Sequence, residues 1–437
     1  MRIILFVYLI LLGNFCFAGN LSGINTDFFN RFNDEFLPLY IEKALTNNHS
    51  LQKANHSVER FRWEIKKAFS YELPELSAIP AYLGVHFPKN DYNIFVKNNS
   101  FILPLKISFE PDFMLKNYDK IKKSKADYLA ESAKKNNGYL TLLGDVTSGY
   151  VNILLYDYLI KKQKDLLENK SDIYKKEDLK LQFGINDKET LNGINSELEA
   201  NKANYNDLIE KRNTALFGFC NLIGESAENY GEISRGSLEK FEYTDSIPEI
   251  ISSDLIYLRP DMIEAENKLK SAKIDITIAK KEFFPKFDIT GLLVFDTVGL
   301  GNFFSWESSF AFLLASATQD LFQGGRKIAN LKIKKEKFNE LLEEYKEQDL
   351  IAAKEINNAL NLIKQDDLRE KDYKNILELK KNNLNLSEKK LNKGVISELE
   401  YLYDKNDLTD SSQTLATNKA ARLVDYVTLY KALGGNL

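Results

Sequence analysis

Proline divides this chain into two long permissive stretches. Pro74, Pro80, Pro88, Pro104 and Pro111 fall together, and Pro248, Pro260 and Pro285 form a second group. None occurs between Pro111 and Pro248, or after Pro285. A proline inside a helix costs about 3 kcal/mol, because it removes a hydrogen bond and clashes with the preceding turn. The two proline-free stretches therefore admit helices far longer than those of globular proteins. Each group borders segments of alternating apolar residues, so the chain states one plan twice, 210 residues apart at its landmark glycines. Such a repeat decides the fold class before any finer reading.

Composition narrows the class. Apolar residues make up 44% of the 437, too many for disorder, and the 28% charged residues of mixed sign exclude a bundle of membrane helices. A net charge of -4 supplies no basic stripe for nucleic acid. Residues 1–18 read as a signal peptide. Met1 and Arg2 are the positive start, Ile3 to Leu12 the apolar core, and cleavage is predicted after Ala18. A lipoprotein reading would keep Cys16 as a lipidated first residue, but Gly13 and Phe15 fit that signal poorly. Beyond the leader, Cys220 stands alone and cannot form an intrachain disulfide. Its neighbours Phe217, Phe219 and Leu222 predict a buried thiol. An exported chain without a later spanning helix is periplasmic, secreted or an outer-membrane β-barrel.

The pattern along the chain predicts a helix over 37–72, ended by Leu73 and Pro74, with Leu39, Ile41, Ala44, Leu45, Leu51 and Val58 on its apolar face. Residues 77–87 and 101–109 alternate with period two and predict two strands around a polar loop. From Asp112 the period becomes helical. Ile153, Ile160, Leu167 and Tyr174 keep a seven-residue spacing, the signature of a coiled-coil seam. This run breaks at Gly184, and a second helix is predicted over 187–222. The first would be ~105 Å long. Residues 223–255 are irregular. The plan then restarts with a helix over 260–284, strands over 287–295 and 306–314, a long helical run from Asp320, a break at Gly394 and a last helix over 397–433. In the final strand Trp306, Phe310, Phe312 and Leu314 take one face.

Each strand has the length and one-sided apolarity of a transmembrane β-strand tilted across roughly 25 Å of outer membrane. Four strands cannot close a barrel by themselves, and open edges are not tolerated in lipid. Either copies of the chain join to close a barrel, or the strands form a soluble sheet packed on helices.

Several motifs carry a resemblance. Leu258-Arg259-Pro260-Asp261-Met262-Ile263-Glu264-Ala265-Glu266, followed by Ala279 and Phe283-Phe284-Pro285, resembles the outer membrane factor family of TolC-like channels. The likeness is nearest to the branch serving resistance-nodulation-division efflux pumps. Asp320-Leu321-Phe322-Gln323-Gly324-Gly325-Arg326 resembles the turn into the family's second long helix, and Tyr430-Lys431-Ala432-Leu433-Gly434-Gly435 its C-terminal helix end. The resemblance implies a mainly α fold with a β-barrel part. Long coiled-coil hairpins would form an α-barrel, and each chain would give four transmembrane strands in two repeats, over 19–250 and 251–437. It implies a homotrimer in outer-membrane lipid, working with a periplasmic adaptor protein and an inner-membrane efflux pump. Residues 20–36, 223–255 and the C-terminus would form an equatorial belt.

Site residues follow by position. Phe183 and Gly184 match one hairpin tip, and Lys393, Gly394 and Val395 the other, where the adaptor would dock. The family's first gate aspartate lies six positions after the second tip glycine, where this chain has Glu400. A second acid is due three further on, but Tyr403 stands there and Asp404 follows. These acids either ring the periplasmic gate or are solvated helix charges.

No motif suggests catalysis, a cofactor or a metal. His49 and His56 are seven residues apart, not the four of helical metal ligands, and His86 lies in the strand block. Gly324-Gly325-Arg326 lacks a Walker context and reads as a strand-to-helix turn. A chain with no nucleotide site would be a passive conduit. The sequence predicts a channel of tripartite efflux. The alternatives are the channel of type I protein secretion, or of metal or solvent export, and a coiled-coil scaffold without a pore.

Overall fold

The computed structural model describes residues 26–84, 99–244, 254–297 and 304–436. The predicted leader, Cys16 and His86 lie outside them. Two helices of 67 residues dominate: α3 (Lys116–Gln182) and α6 (Arg326–Asn392). At 1.5 Å per residue each is about 100 Å long. Each turns back into a 35-residue helix, α4 (Lys188–Leu222) and α7 (Glu398–Ala432). Two 22-residue helices, α2 (His49–Ser70) and α5 (Pro260–Lys281), precede the strands.

The short helices stack end to end. Asn48, which caps α2, donates its amide to the Leu222 carbonyl at 2.9 Å. Arg259, the residue before α5, donates to the Ala432 carbonyl at 2.9 Å. The same joint thus appears in both repeats. It satisfies a last-turn carbonyl that would otherwise lack a partner. Glycines admit the close approach: a Cβ on Gly224 would lie 2.5 Å from the Asn47 carbonyl oxygen, and one on Gly434 2.9 Å from the Arg259 Cα. Each long helix therefore has a composite partner rod, α4 with α2 and α7 with α5.

The predicted helix over 37–72 is two helices. Asn48 adopts an extended conformation between α1 (Leu37–Asn47) and α2. Pro38 sits in the first turn of α1, where its missing N–H costs nothing. Leu39 does not join the apolar face and is exposed. Leu37, Tyr40, Ile41 and Ala44 are buried instead. The strict heptad is also corrected. Below Leu154 the buried positions of α3 are Gln163, Leu166, Asn169, Ile173 and Glu177, while Ile160, Leu167 and Tyr174 are only half-buried. Here α3 packs against both α4 and α7, so no single seven-residue stripe can serve.

The described strands form one antiparallel sheet: β1 (Glu75–Ala78), β2 (Ala81–Gly84), β3 (Asn99–Phe109), β4 (Lys286–Thr297) and β5 (Ser309–Thr318). β1 and β2 both pair with β3 in one continuous register, Ala78 facing Leu105 and Ala81 facing Ile102. They are a single edge strand, interrupted where Pro80 and Pro104 remove ladder donors. The order is then β1/β2, β3, β4, β5, and neither outer strand has a second neighbour among the described residues.

Register sets the faces. Leu103, Leu105 and Ile107 of β3 stand opposite Phe295, Leu293 and Gly291 of β4. These in turn face Ser309, Ala311 and Leu313 of β5. The other face carries Lys106, Ser108, Asp288, Thr290 and Asp296. Phe310, Phe312 and Leu314 fall on that mixed face, opposite Val294, Leu292 and Thr290. The apolar side of β5 by its own alternation is thus not the apolar side of the sheet. Trp306 precedes β5 in a short 3-10 turn.

At mid-length an aromatic core ties the ends of the chain to the helices. Phe28 stacks on Tyr430 at 4.3 Å, and Phe32 on Phe241 at 5.2 Å. The Tyr150 hydroxyl donates to Asp34 at 3.0 Å and accepts from the Gly236 N–H at 3.0 Å. Residues 26–36, 226–244 and the end of α7 therefore pack together. Cys220 is fully buried in this core, and burial pushes its thiol pKa up.

Candidate functional site

The hairpin tips lie at the ends of the helices farthest from the sheet. Gly184 has φ 71° and Gly394 φ 69°, the left-handed conformation that L side chains resist. A Cβ at either would meet nothing within 4 Å, so backbone conformation rather than space demands glycine. Both tips close in the same way. The Ile185 N–H bonds the Lys180 carbonyl at 2.9 Å, and the Val395 N–H bonds the Lys390 carbonyl at 2.9 Å. This is the six-to-one hydrogen bond of a Schellman cap. The returning helices start on side-chain caps, Asp187 to the Thr190 N–H at 2.7 Å and Ser397 to the Glu400 N–H at 3.2 Å. Phe183 and Val395 are 76% and 67% exposed, a large apolar display at a chain extremity. Lys393 is exposed at the position equivalent to Phe183.

Glu400 and Asp404 sit one turn apart near the start of α7. Glu400 is exposed, and its carboxylate makes no hydrogen bond or ion pair among the described residues. Asp404 is half-buried and accepts a hydrogen bond from Ser387 of α6, across its own hairpin. The two acids therefore have different surroundings. Tyr403 turns toward the first hairpin; burial raises its hydroxyl pKa, and the nearby Glu177 and Glu197 raise it further.

Two contacts that the sequence did not single out join the hairpins. Lys176 of α3 pairs with Glu398 of α7 at 2.6 Å. Lys405 of α7 donates to Asn169 of α3 at 2.9 Å. Only the buried polar positions among apolar neighbours, Gln163 and Asn169, could have flagged this seam.

The Arg259-Pro260-Asp261 motif acquires a physical role. Arg259 is nearly buried and bonds Asp261 at 2.7 Å and Glu355 of α6 at 2.6 Å, besides the Ala432 carbonyl. Pro260 opens α5, and Asp261 also accepts from Gln348 at 2.7 Å. The motif fastens α5, α6 and α7 at one joint. His49 and His56 are exposed on one side of α2. Gly324 and Gly325, with φ 57° and 82°, make the strand-to-helix turn before Arg326.

Rods of about 100 Å topped by a sheet with two open edges define the class of outer-membrane channels with a helical tunnel. Comparison with known proteins agrees. Residues 251–435 match the model of the outer membrane efflux protein family. The chain is 25% identical over 413 residues to the cation efflux system protein CusC of Escherichia coli K12, covering 92% of this chain and 87% of that one. Its fold matches the CmeC outer membrane channel of Campylobacter jejuni with a TM-score of 0.83 at 22% identity, over 95% and 89% of the two chains. It also matches the open-state MtrE channel of Neisseria gonorrhoeae with a TM-score of 0.80 at 23% identity, over 95% and 93%. The second half of the chain thus carries the pattern of the outer membrane efflux protein family, and the whole chain is similar in sequence and fold to outer-membrane efflux proteins.

Proposed function

We propose that three copies of this chain form a continuous conduit, a β-barrel in the outer membrane above an α-helical periplasmic tunnel. It passively exports small molecules handed over by an inner-membrane pump through a periplasmic adaptor. One observation carries the reading: among the described residues the outer edge of each edge strand is unpaired, although the strands have membrane-spanning length. Lipid penalises each unsatisfied backbone group by several kcal/mol, and only closure removes edges. In planar bilayers the purified protein should conduct ions, and in detergent it should run as a trimer. A monomer that stays soluble without detergent and conducts nothing would sink the proposal.

The tips are the proposed adaptor contacts through Phe183, Gly184, Lys393, Gly394 and Val395. Their exposed apolar side chains on rigid, capped turns support this role. Glu400 is the proposed gate acid, since an unpaired carboxylate repeated around an axis would repel its copies and attract cations. Asp404 supports the gate by holding the second hairpin together. Glu400→Ala should weaken block of the channel by divalent cations, whereas Asp404→Ala should raise basal conductance. Unchanged currents in both would remove these acids from the gate. An adaptor cross-linking to a Val395→Cys variant would favour efflux or secretion over a scaffold.

A further inference from the structure

Where the sheet meets the long helices, a groove of about 800 Å³ lies between the strand ends and the starts of α3 and α6. Phe113 and Phe284 line it and are 68% and 54% exposed. Phe113 stands edge-on to Phe287 at 5.2 Å. Phe287 belongs to the apolar face of the sheet, opposite Ala317. The groove therefore continues that face.

Its acids are already engaged. Asp112 accepts from the Lys116 and Tyr118 N–H groups at 2.6 and 2.9 Å. Glu110 pairs with Lys286 at 3.2 Å, Asp320 with Lys327 at 3.1 Å, and Glu282 accepts from Asn330 at 3.1 Å. Lys281 is held by Asp119 at 2.6 Å. By contrast, the Lys116 ammonium has no ion pair among the described residues. Among the described residues the Arg326 guanidinium bonds only the Gln323 amide oxygen, at 3.2 Å. Lys116 and Arg326 are the first residues of α3 and α6, so each repeat delivers to this place one cation without an ion pair among the described residues. Just below, the Lys120 ammonium lies 5.3 Å from the Tyr71 ring and that of Lys122 lies 4.4 Å from Tyr118. Both rings are about half exposed. Exposed aromatic rings with lysines beside them are the composition of a bilayer interface, where rings lie at headgroup level and ammonium groups reach phosphate.

We infer that this groove binds a phospholipid headgroup of the membrane leaflet on the helix side. Lys116 and Arg326 hold the phosphate, and Phe113 and Phe284 pack on the upper acyl chains. The inference rests on the reading that the sheet spans the outer membrane, and the experiment separates the two.

The chain has two tryptophans, Trp63 and Trp306. Trp306 lies just before β5, at the end of the sheet away from the helices, so Trp63→Phe leaves a reporter of the spanning sheet. A Phe113→Trp probe in a Trp63→Phe, Trp306→Phe background reports the groove. Both are reconstituted in phosphatidylethanolamine–phosphatidylglycerol vesicles with lipids brominated near the headgroup or at the chain end. Both should be quenched, the groove probe about twofold more by the shallow bromines. Quenching of Trp306 alone overturns the headgroup site and leaves the spanning sheet standing; a second copy filling the groove would give this result. Quenching of neither overturns both. In a second arm, phosphatidylglycerol retained per chain after mild-detergent extraction is measured by mass spectrometry. The Lys116→Gln, Arg326→Gln variant should retain about fivefold less, and Lys116→Arg, Arg326→Lys should restore retention. Unchanged retention in the glutamine variant overturns the assignment of the two cations.

Discussion

Single residues show where the two repeats are under different constraint. Leu115 has φ 54° and is the only non-glycine residue at positive φ among those described. Its counterpart 210 residues on is Gly325, with φ 82°, at the same place before a long helix. A Cβ in the left-handed region costs about 1 kcal/mol. Leu115→Gly should therefore be neutral to slightly stabilising, whereas Gly325→Leu should destabilise by about 1 kcal/mol, measured by thermal unfolding in detergent. Equal losses in both would show that Leu115 compensates through packing. Asp261 gives a pH signature. Burial acts to raise its pKa, but the hydrogen bonds and charge of Arg259, with the Met262 N–H and Gln348, outweigh it and leave the carboxyl below its usual range. A depressed folded pKa adds stability that is present above the unfolded value of about 4 and lost as pH falls through the folded value. Unfolding between neutral pH and about pH 3 should thus be less pH-dependent in Asp261→Asn than in the parent. An unchanged slope would remove this joint from the acid response.

Among elements, the hairpins were largely legible and their mutual contacts were not. Glycine at 184 and 394 marks both tips, because a tight helical return needs a residue that tolerates positive φ. Two of the contacts between hairpins join Lys176 to Glu398 and Asn169 to Lys405 across 222 and 236 positions. No local pattern encodes such a pairing. An exposed ion pair contributes at most about 1 kcal/mol, so the Lys176–Glu398 pair suits a reversible latch better than a structural weld. Lys176→Glu should increase open probability in planar bilayers, and the swap Lys176→Glu, Glu398→Lys should bring it back. A double swap as open as the single variant would show that the pair does not restrain the hairpins. The strands teach a related lesson. Alternation within β5 identified one apolar side, yet pairing with β4 turned Phe310 and Phe312 to the mixed face. Periodicity defines two faces per strand, but register with neighbours decides which of them coincide.

At the scale of the molecule, each repeat supplies half of a sheet and one long hairpin, and matching joints at Asn48 and Arg259 give both halves the same build. Helices close their own backbone hydrogen bonds, whereas the outer edges of the sheet are unpaired among the described residues, so the proposed trimer would complete the sheet and not the helices. Protein kept from membranes and detergent should retain helical circular dichroism but lose the heat-resistant species that a closed barrel gives; a heat-resistant monomer would contradict this dependence. The sequence by itself determined the repeat, the long helices, the strand block and the tip glycines. Those features follow from local rules: where proline is absent, where the apolar period changes, and where positive φ is needed. Only the tertiary structure decided that residues 37–72 break at Asn48, that the buried seam of α3 follows Gln163 and Asn169 instead of a strict heptad, and that Asp404 turns to Ser387 while Glu400 stays free. These outcomes depend on which surfaces meet, and residues hundreds of positions apart in the chain set them through packing and register.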